Sequence, residues 1–200
     1  MLRSLILALS AVTLVGVSAA ETVVENPDLS ALCPEVGTPA PAFSALTRDD
    51  IQVDLADISG PGGAVIVFSR SLDWCPYCKT QAIDLKTIAD QVEEAGWPLS
   101  LLTYDSTEDL SKFGDENAIN YTLLSDPDSA MIDAFELRNE EVRAGSRFDG
   151  IPHPAIIYVG SDGMIRGVQM EEGYKDRPPT QGILQLVMLL NQDLPAEAFE

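Results

Sequence analysis

Two cysteines separated by Pro76 and Tyr77 stand between a continuous apolar run, Ala64-Val-Ile-Val-Phe68, and a stretch with apolar residues at 82, 85, 88, 89 and 92. The first run has the character of a buried strand, and the second draws one stripe along a helix. A strand, a tight turn and a helix therefore meet at Cys75-Pro76-Tyr77-Cys78. If the helix begins at Pro76, the proline occupies the first helical position, where its fixed φ and missing N–H cost nothing. Cys75 is then the N-cap. Its sulfur faces the open N–H groups of the first turn and the positive end of the helix dipole, which favour a thiolate over a thiol. Cys78 lies one turn on, along the same face and tucked inward. The expectation is an exposed, charged Cys75 and a shielded, protonated Cys78. Such a pair suits thiol–disulfide exchange, in which the outer thiolate attacks and the inner thiol displaces the product. A structural link is the plainer alternative, but so short a loop restrains little chain entropy. Half a zinc site is the other; it needs more ligands, and Cys33 and His153 stand at spacings that match no common zinc framework. No metal and no cofactor is expected.

The remaining pattern alternates strand and helix before closing on a hairpin. Strands are expected at Ile51–Leu55, Ala64–Phe68, Pro98–Tyr104 and Tyr121–Leu124, and helices at residues 76–95, Thr107–Phe113 and Asp128–Leu137. Ala155–Val159 and Met164–Met170 flank Ser161-Asp162-Gly163, which reads as a hairpin turn, and a last helix spans Gln181–Leu190 after Pro178-Pro179. This order predicts an α/β domain with a mixed central β-sheet flanked by helices. The expected organisation is a signal peptide over 1–20, a Pro-rich arm over 21–43, the folded domain over 44–192 and an acidic tail over 193–200. Asn139–Gly150, polar and with glycine at 145 and 150, is expected to form a mobile loop beside the cysteines.

Two features bear on compartment and partners. Arg3, an apolar run from Leu5 to Val17 and the small residues Ser18-Ala19-Ala20 have the three-part layout of a secretory leader. Cleavage near Ala20 would leave an exported chain without stable membrane insertion, in a periplasmic or secreted setting where disulfides persist. A formal net charge of -20 repels phosphate backbones, so no nucleic-acid partner is expected. The apolar fraction of 46% is too high for a disordered acidic chain, so the charge coats a core. Cys33, in the arm, is open to three readings: a free thiol, an intermolecular bridge or a second resolving cysteine.

The single histidine lies in Gly150-Ile-Pro-His-Pro154, at the mouth of the strand that follows. An X-Pro bond can be cis at small cost. A cis Pro154 would set the backbone of His153 beside the Cys75 sulfur, open to an extended partner peptide. His153 can then stabilise the thiolate, hold a proton for the leaving thiol, or simply sit at the rim. Trp74 is expected to cover the reactive sulfur and Trp97 to be structural. With Pro76 and Tyr77, residues Trp74, His153 and Pro154 make the expected substrate-binding set around catalytic Cys75 and Cys78.

With these motifs in place, the chain resembles the redoxins: the thioredoxin-like fold and, within it, the alkyl hydroperoxide reductase/thiol-specific antioxidant (AhpC/TSA, peroxiredoxin-like) family. The resemblance spans roughly residues 36–190. Val36-Gly-Thr-Pro-Ala-Pro-Ala-Phe43 is similar to the family's opening, Asp73-Trp-Cys-Pro-Tyr-Cys-Lys79 to a thioredoxin-type redox site, and Pro154 through Gly163 to the cis-proline strand and hairpin. Departures bear on activity. Phe68 and Leu72 occupy the Pro and Thr stations of the peroxiredoxin loop before Cys75, and no arginine stands near Pro154. Arg70 and Arg147 are the candidates to replace it. Ser69 occupies the station where thioredoxin-like reductases tend to bury an acid, so proton transfer at Cys78 needs water, His153 or another group.

The first expectation is an exported thiol–disulfide oxidoreductase working on protein or small-thiol substrates through a Cys75/Cys78 couple. The alternative is a thiol peroxidase that reduces hydroperoxides through Cys75, with a thiol reductant closing the cycle. A third reading is a copper carrier using Cys75, Cys78 and His153. Oligomeric state is not legible.

Overall fold

The computed structural model describes residues 33–193 apart from 172 and 174. The leader expected at 1–20, the start of the expected arm and residues 194–200 of the expected tail lie outside the described residues. The strands are β1 (Ser44–Thr47), β2 (Gln52–Asp54), β3 (Gly63–Phe68), β4 (Leu99–Thr103), β5 (Thr122–Ser125), β6 (Ala155–Gly160) and β7 (Ile165–Met170). The helices are α1 (Pro76–Glu94), α2 (Thr107–Glu116), α3 (Ala130–Ala134) and α4 (Thr180–Leu190). Among the described residues, no helix is long and apolar enough to cross a membrane.

One mixed sheet carries all of these strands in the order β2-β1-β5-β4-β3-β6-β7. Strands β3, β4 and β5 run parallel, joined by helical crossovers, while β6, β7, β1 and β2 pair antiparallel. This is the α/β thioredoxin-like arrangement expected from the strand–helix alternation.

Strand β3 shows why its sequence is apolar throughout. Side chains alternate across a sheet, so Val65 and Val67 join the core beneath α1 and α4, whereas Ala64, Ile66 and Phe68 join the core beneath α3. On the helix side, Ala82, Leu85, Ile88, Ala89 and Val92 of α1 meet Ile183 and Val187 of α4. Each large aliphatic side chain sealed here contributes roughly 1.5–3 kcal/mol relative to exposure. Helix α1 stops where Gly96 takes a left-handed φ of 84° and donates its N–H to Glu93 O at 2.8 Å.

Three expectations needed correction. Strand β1 had no signal, because four residues between the arm and a turn show too little alternation to register. The helix expected over 128–137 shrinks to Ala130–Ala134. Asp126 receives the N–H groups of Met131 and Ile132, each at 3.0 Å, and fixes the start, while Glu136 at φ 59° turns the chain out. The Pro154 bond is trans, as are the other peptide bonds of the described chain. Pro152 bridges Arg138, and His153 donates its N–H to Leu137 O at 2.7 Å. The segment thus reaches β6 already extended along residues 137–138 and needs no reversal at the proline.

Past Cys33, the arm lies along the β6–β7 hairpin. Gly37 donates to Ile165 O at 2.9 Å, Ile165 to Thr38 O at 2.9 Å and Ala40 to Gly163 O at 2.8 Å. Cys33 is half-buried against the core on the α3 side, and burial, with a smaller push from Glu136, raises its thiol pKa.

Candidate active site

The site forms where β3 ends and α1 begins. Pro76 is the first residue of α1, and Cys75 is its N-cap in an extended conformation, φ -92° and ψ 106°. The Cys78 N–H donates to Cys75 Sγ at 3.3 Å. The helix N-terminus thus aims a donor at that sulfur, as the sequence implied. The two cysteines are joined in a disulfide with their Cα atoms 5.3 Å apart. In this oxidised form the expected difference in exposure is absent: Cys75 is 2% exposed and Cys78 is fully buried. Leu72, itself buried, packs in the same cluster as both sulfurs, with Trp74 against its edge, so the turn closes over the pair.

A buried carboxylate that the sequence did not flag shapes the loop before Cys75. Asp105, just beyond β4, accepts from Ser71 Oγ at 2.7 Å, the Leu72 N–H at 2.6 Å and Thr103 Oγ1 at 2.9 Å. Ser71 Oγ in turn accepts from the N–H groups of Asp73 and Trp74 at 3.0 and 3.2 Å. Residues 71–74 therefore hang from one carboxyl group. Burial raises the Asp105 pKa, and its three hydrogen bonds oppose that shift. The station at Ser69 is neutral and buried; the acid near this site comes from the neighbouring strand instead.

Trp74 packs edge-on against Phe148 with ring centroids 4.6 Å apart and donates Nε1–H to Tyr104 Oη at 2.9 Å. The Tyr104 hydroxyl donates onward to Arg147 O at 2.9 Å. The 139–150 loop does lie beside the cysteines, and it is tied down at both ends: Arg138 pairs with Asp149 at 3.2 Å, and Ser129 Oγ donates to Gly150 O at 2.9 Å. Tyr77 is exposed on the first turn of α1, at the rim.

Cations gather around the pair although the chain is strongly acidic. The Arg70 guanidinium stacks over the Trp74 ring at 5.3 Å, and Arg147 stacks over Phe148 at 4.4 Å. Arg177, carried by the segment between β7 and α4, places Nη2 3.4 Å from Cys78 Sγ. Its Nε–H donates to Gln81 Oε1 at 2.9 Å. Arg177 had no sequence signal, since 99 residues separate it from Cys78 and no local motif marks it.

His153 is half-buried, and its backbone N–H donates to Leu137 O rather than to either sulfur. Burial lowers its imidazole pKa, Arg70 lowers it further, and Glu141 and Glu140 oppose them. It is therefore neutral near pH 7 and suited to accept a proton rather than to supply positive charge. Pro154 leads directly into β6, whose first residue, Ala155, pairs with Phe68 at the end of β3. The copper reading fares poorly, because among the described residues no three His, Cys, Asp or Glu side chains gather as a metal cluster. A surface groove lined in part by Glu93, Pro98 and Leu99 lies at the far end of α1 from the cysteines.

A mixed sheet of this order with a Cys-Pro-Tyr-Cys pair capping α1 defines a thioredoxin-like redox domain. Residues 36–168 match the AhpC/TSA family model, and the chain belongs to that family. It is 32% identical over 134 residues to "Peroxiredoxin Bcp" of Escherichia coli (strain K12), covering 67% of this chain and 84% of that protein. Among solved structures, "Peroxidoxin BcpB" from Mycobacterium tuberculosis superposes with a TM-score of 0.66 at 16% identity, over 80% of this chain and 99% of that one. A "peroxiredoxin-like protein" from Aquifex aeolicus gives a TM-score of 0.65 at 22% identity, over 80% and 90% of the two chains. At those identities the structures speak to the fold alone.

Proposed function

We propose that this chain is an exported thiol-dependent peroxidase that reduces hydroperoxides through a Cys75/Cys78 dithiol–disulfide cycle. Family membership together with the closed Cys75–Cys78 bond at the start of α1 carries the reading. It places the peroxidase alternative ahead of a disulfide exchanger that never meets peroxide. In the first step the Cys75 thiolate attacks the outer peroxide oxygen; the O–O bond breaks, the alkoxide takes a proton and leaves as alcohol, and Cys75 becomes a sulfenic acid. In the second, Cys78 attacks that sulfur, the S–O bond breaks and hydroxide leaves. Two equivalents of a thiol reductant then restore the dithiol and depart as their own disulfide.

Trp74 and Tyr77 form the approach to Cys75, Pro76 holds the first turn of α1 at the sulfur, Pro154, at the start of β6, borders the approach taken by the thiol reductant, and neutral His153 is placed to take a proton. Phe68 and Leu72 stand where the family pattern has Pro and Thr, so polarising the O–O bond falls to Arg70 and the helix N-terminus. The export assignment rests on the leader pattern of residues 1–20.

The test mixes reduced protein with substoichiometric hydrogen peroxide in a stopped-flow instrument. Tryptophan fluorescence should change in a second-order phase far faster than free cysteine reacts, with two thiols lost per peroxide, and Cys75→Ser should abolish the phase. Reaction no faster than free cysteine would overturn the reading. A second reading, exchange with protein disulfides, is favoured by Pro76 between the cysteines. Cys78→Ser protein kept free of peroxide would then trap mixed disulfides through Cys75; empty trapping removes that reading.

A further inference from the structure

The Cys78 sulfur has no evident route for a proton, yet it must be a nucleophile in one half of the cycle and a leaving group in the other. It is fully buried, the sequence supplies no acid at position 69, and the His153 N–H is spent on Leu137 O. What does reach it is the guanidinium of Arg177, with Nη2 at 3.4 Å. That guanidinium is aimed. Gln81, one turn along α1 from Cys78 and itself buried, accepts the Nε–H at 2.9 Å, and Nη1 donates to the Asp176 carbonyl. The fork is thus fixed at two points and turns a third donor towards the sulfur.

We propose that Arg177 is a further catalytic residue of this site, which holds Cys78 as a thiolate whenever the disulfide is open. This deepens the reading above and rests on it only in that the Cys75–Cys78 bond turns over. Arg177 lies beyond the residues matched by the family model, which end at 168, in the segment between β7 and α4.

Two steps then run without moving a proton to or from a sealed sulfur. In bond formation, Cys78 thiolate attacks sulfenylated Cys75, the new S–S bond forms, the S–O bond breaks and hydroxide departs into solvent. In reduction, an incoming thiolate attacks Cys75 Sγ and the S–S bond breaks. The electron pair of that bond stays on Cys78, and Arg177 stabilises the charge. A second thiolate then takes the first as a disulfide and releases Cys75. A leaving thiol of lower pKa departs faster, so the guanidinium also directs attack to Cys75 rather than Cys78. The surroundings are consistent. Arg70 faces the same space and raises the local positive potential, lowering the Arg177 pKa alongside burial, with Asp176 opposing. A negative charge on the Cys78 sulfur, in contact with Arg177, offsets that repulsion.

The experiment isolates Cys78 in Cys33→Ser/Cys75→Ser protein, which removes the other two thiols of the chain, and follows thiolate absorbance near 240 nm against pH, with Arg177 intact and in Arg177→Gln and Arg177→Lys backgrounds. An opposite charge at this distance moves a thiol by about one to three pH units. Arg177→Gln should therefore weaken Cys78 ionisation at least tenfold, and Arg177→Lys, which keeps the charge, should restore part of it. In protein with both Cys75 and Cys78 present, Arg177→Gln should slow reduction by dithiothreitol about tenfold. Circular dichroism and the thermal midpoint establish that each variant is folded. A Cys78 titration that is the same with Gln as with Arg in folded protein overturns the proposal. A normal Arg177 effect with no peroxide reaction would leave it standing and sink the peroxidase reading instead.

Discussion

Asp105 offers the sharpest test of how the site loop is held. Its carboxylate accepts three hydrogen bonds from buried Ser71, Leu72 and Thr103, and Ser71 passes the restraint on to Asp73 and Trp74. Bonds to a charged acceptor are worth about 1.5–3 kcal/mol each. Burying the carboxylate cancels much of that sum, and the same desolvation raises its pKa. Truncation to Ala removes the whole acceptor set and strands the Leu72 N–H where water scarcely enters, itself costing about 1–3 kcal/mol. The hydroxyls of Ser71 and Thr103 can rotate towards other acceptors; the amide cannot.

A net loss of about 3 kcal/mol is expected for Asp105→Ala, or roughly 6–12 °C in Tm for a domain of this size. Asp105→Asn is a milder change. One oxygen, Oδ2, already serves both Leu72 and Thr103, so an amide placed with its oxygen there loses only the Ser71 bond and costs about 1 kcal/mol. The pH dependence adds a second readout. A carboxyl whose folded pKa lies above its unfolded value adds stability below the unfolded pKa, and that contribution is lost as pH rises through the folded pKa. Asparagine should erase this falling slope. Urea unfolding of oxidised wild type and both variants from pH 3 to pH 7 measures every term. Equal losses for Ala and Asn, or a wild-type slope unchanged by Asn, would refute the claim that this carboxylate suspends the loop.

Three further outcomes follow from particular contacts. Gly63→Ala should destabilise by on the order of 3 kcal/mol or more in chemical denaturation, because φ is +143° and an added Cβ would collide with the Val159 carbonyl oxygen. Tyr104→Phe removes both the acceptor for Trp74 Nε1–H and the donor to Arg147 O, so about 1–2 kcal/mol of stability and hydrogen-exchange protection across 139–150 should be lost together. Burial lowers the His153 pKa, so its stability contribution is complete above the unfolded value of about 6.5 and is lost as pH falls through the folded value. An NMR titration should place the imidazole midpoint below that of an unfolded histidine, and His153→Gln should flatten the corresponding stability curve.

What could be read from the sequence is what depends on neighbours in the chain. The strand Ala64–Phe68, the proline-started helix and the sulfur at its N-cap all follow from periodicity and capping rules that act within about one turn, and the structure places each of them as read. The hairpin and α4 were legible for the same reason. The misses share the opposite property. Asp105 looked like any acid in an acidic chain, and only the pairing of β3 with β4 sets it under residues 71 and 72. The trans Pro154 reflects contacts with residues 137 and 138, reached across a loop whose path the sequence does not specify.

The two sulfurs consequently draw their electrostatics from different levels of the fold. Cys75 is served by its own helix, through the Cys78 N–H, and keeps that donor wherever the first turn of α1 is formed. Cys78 is served by Arg177, 99 residues away, and that contact exists only when the segment after β7 is docked and Gln81 holds the fork. Loosening this segment should therefore separate the two properties. Cys75 would remain an activated nucleophile able to form a sulfenate or a mixed disulfide, while the partner that resolves it would lose its charge. An acidic chain that places Arg70, Arg147 and Arg177 around one buried pair concentrates its few cations where an anion must form twice per turnover. The chain as a whole carries a formal net charge of -20, so these cations act against the sign of the overall field.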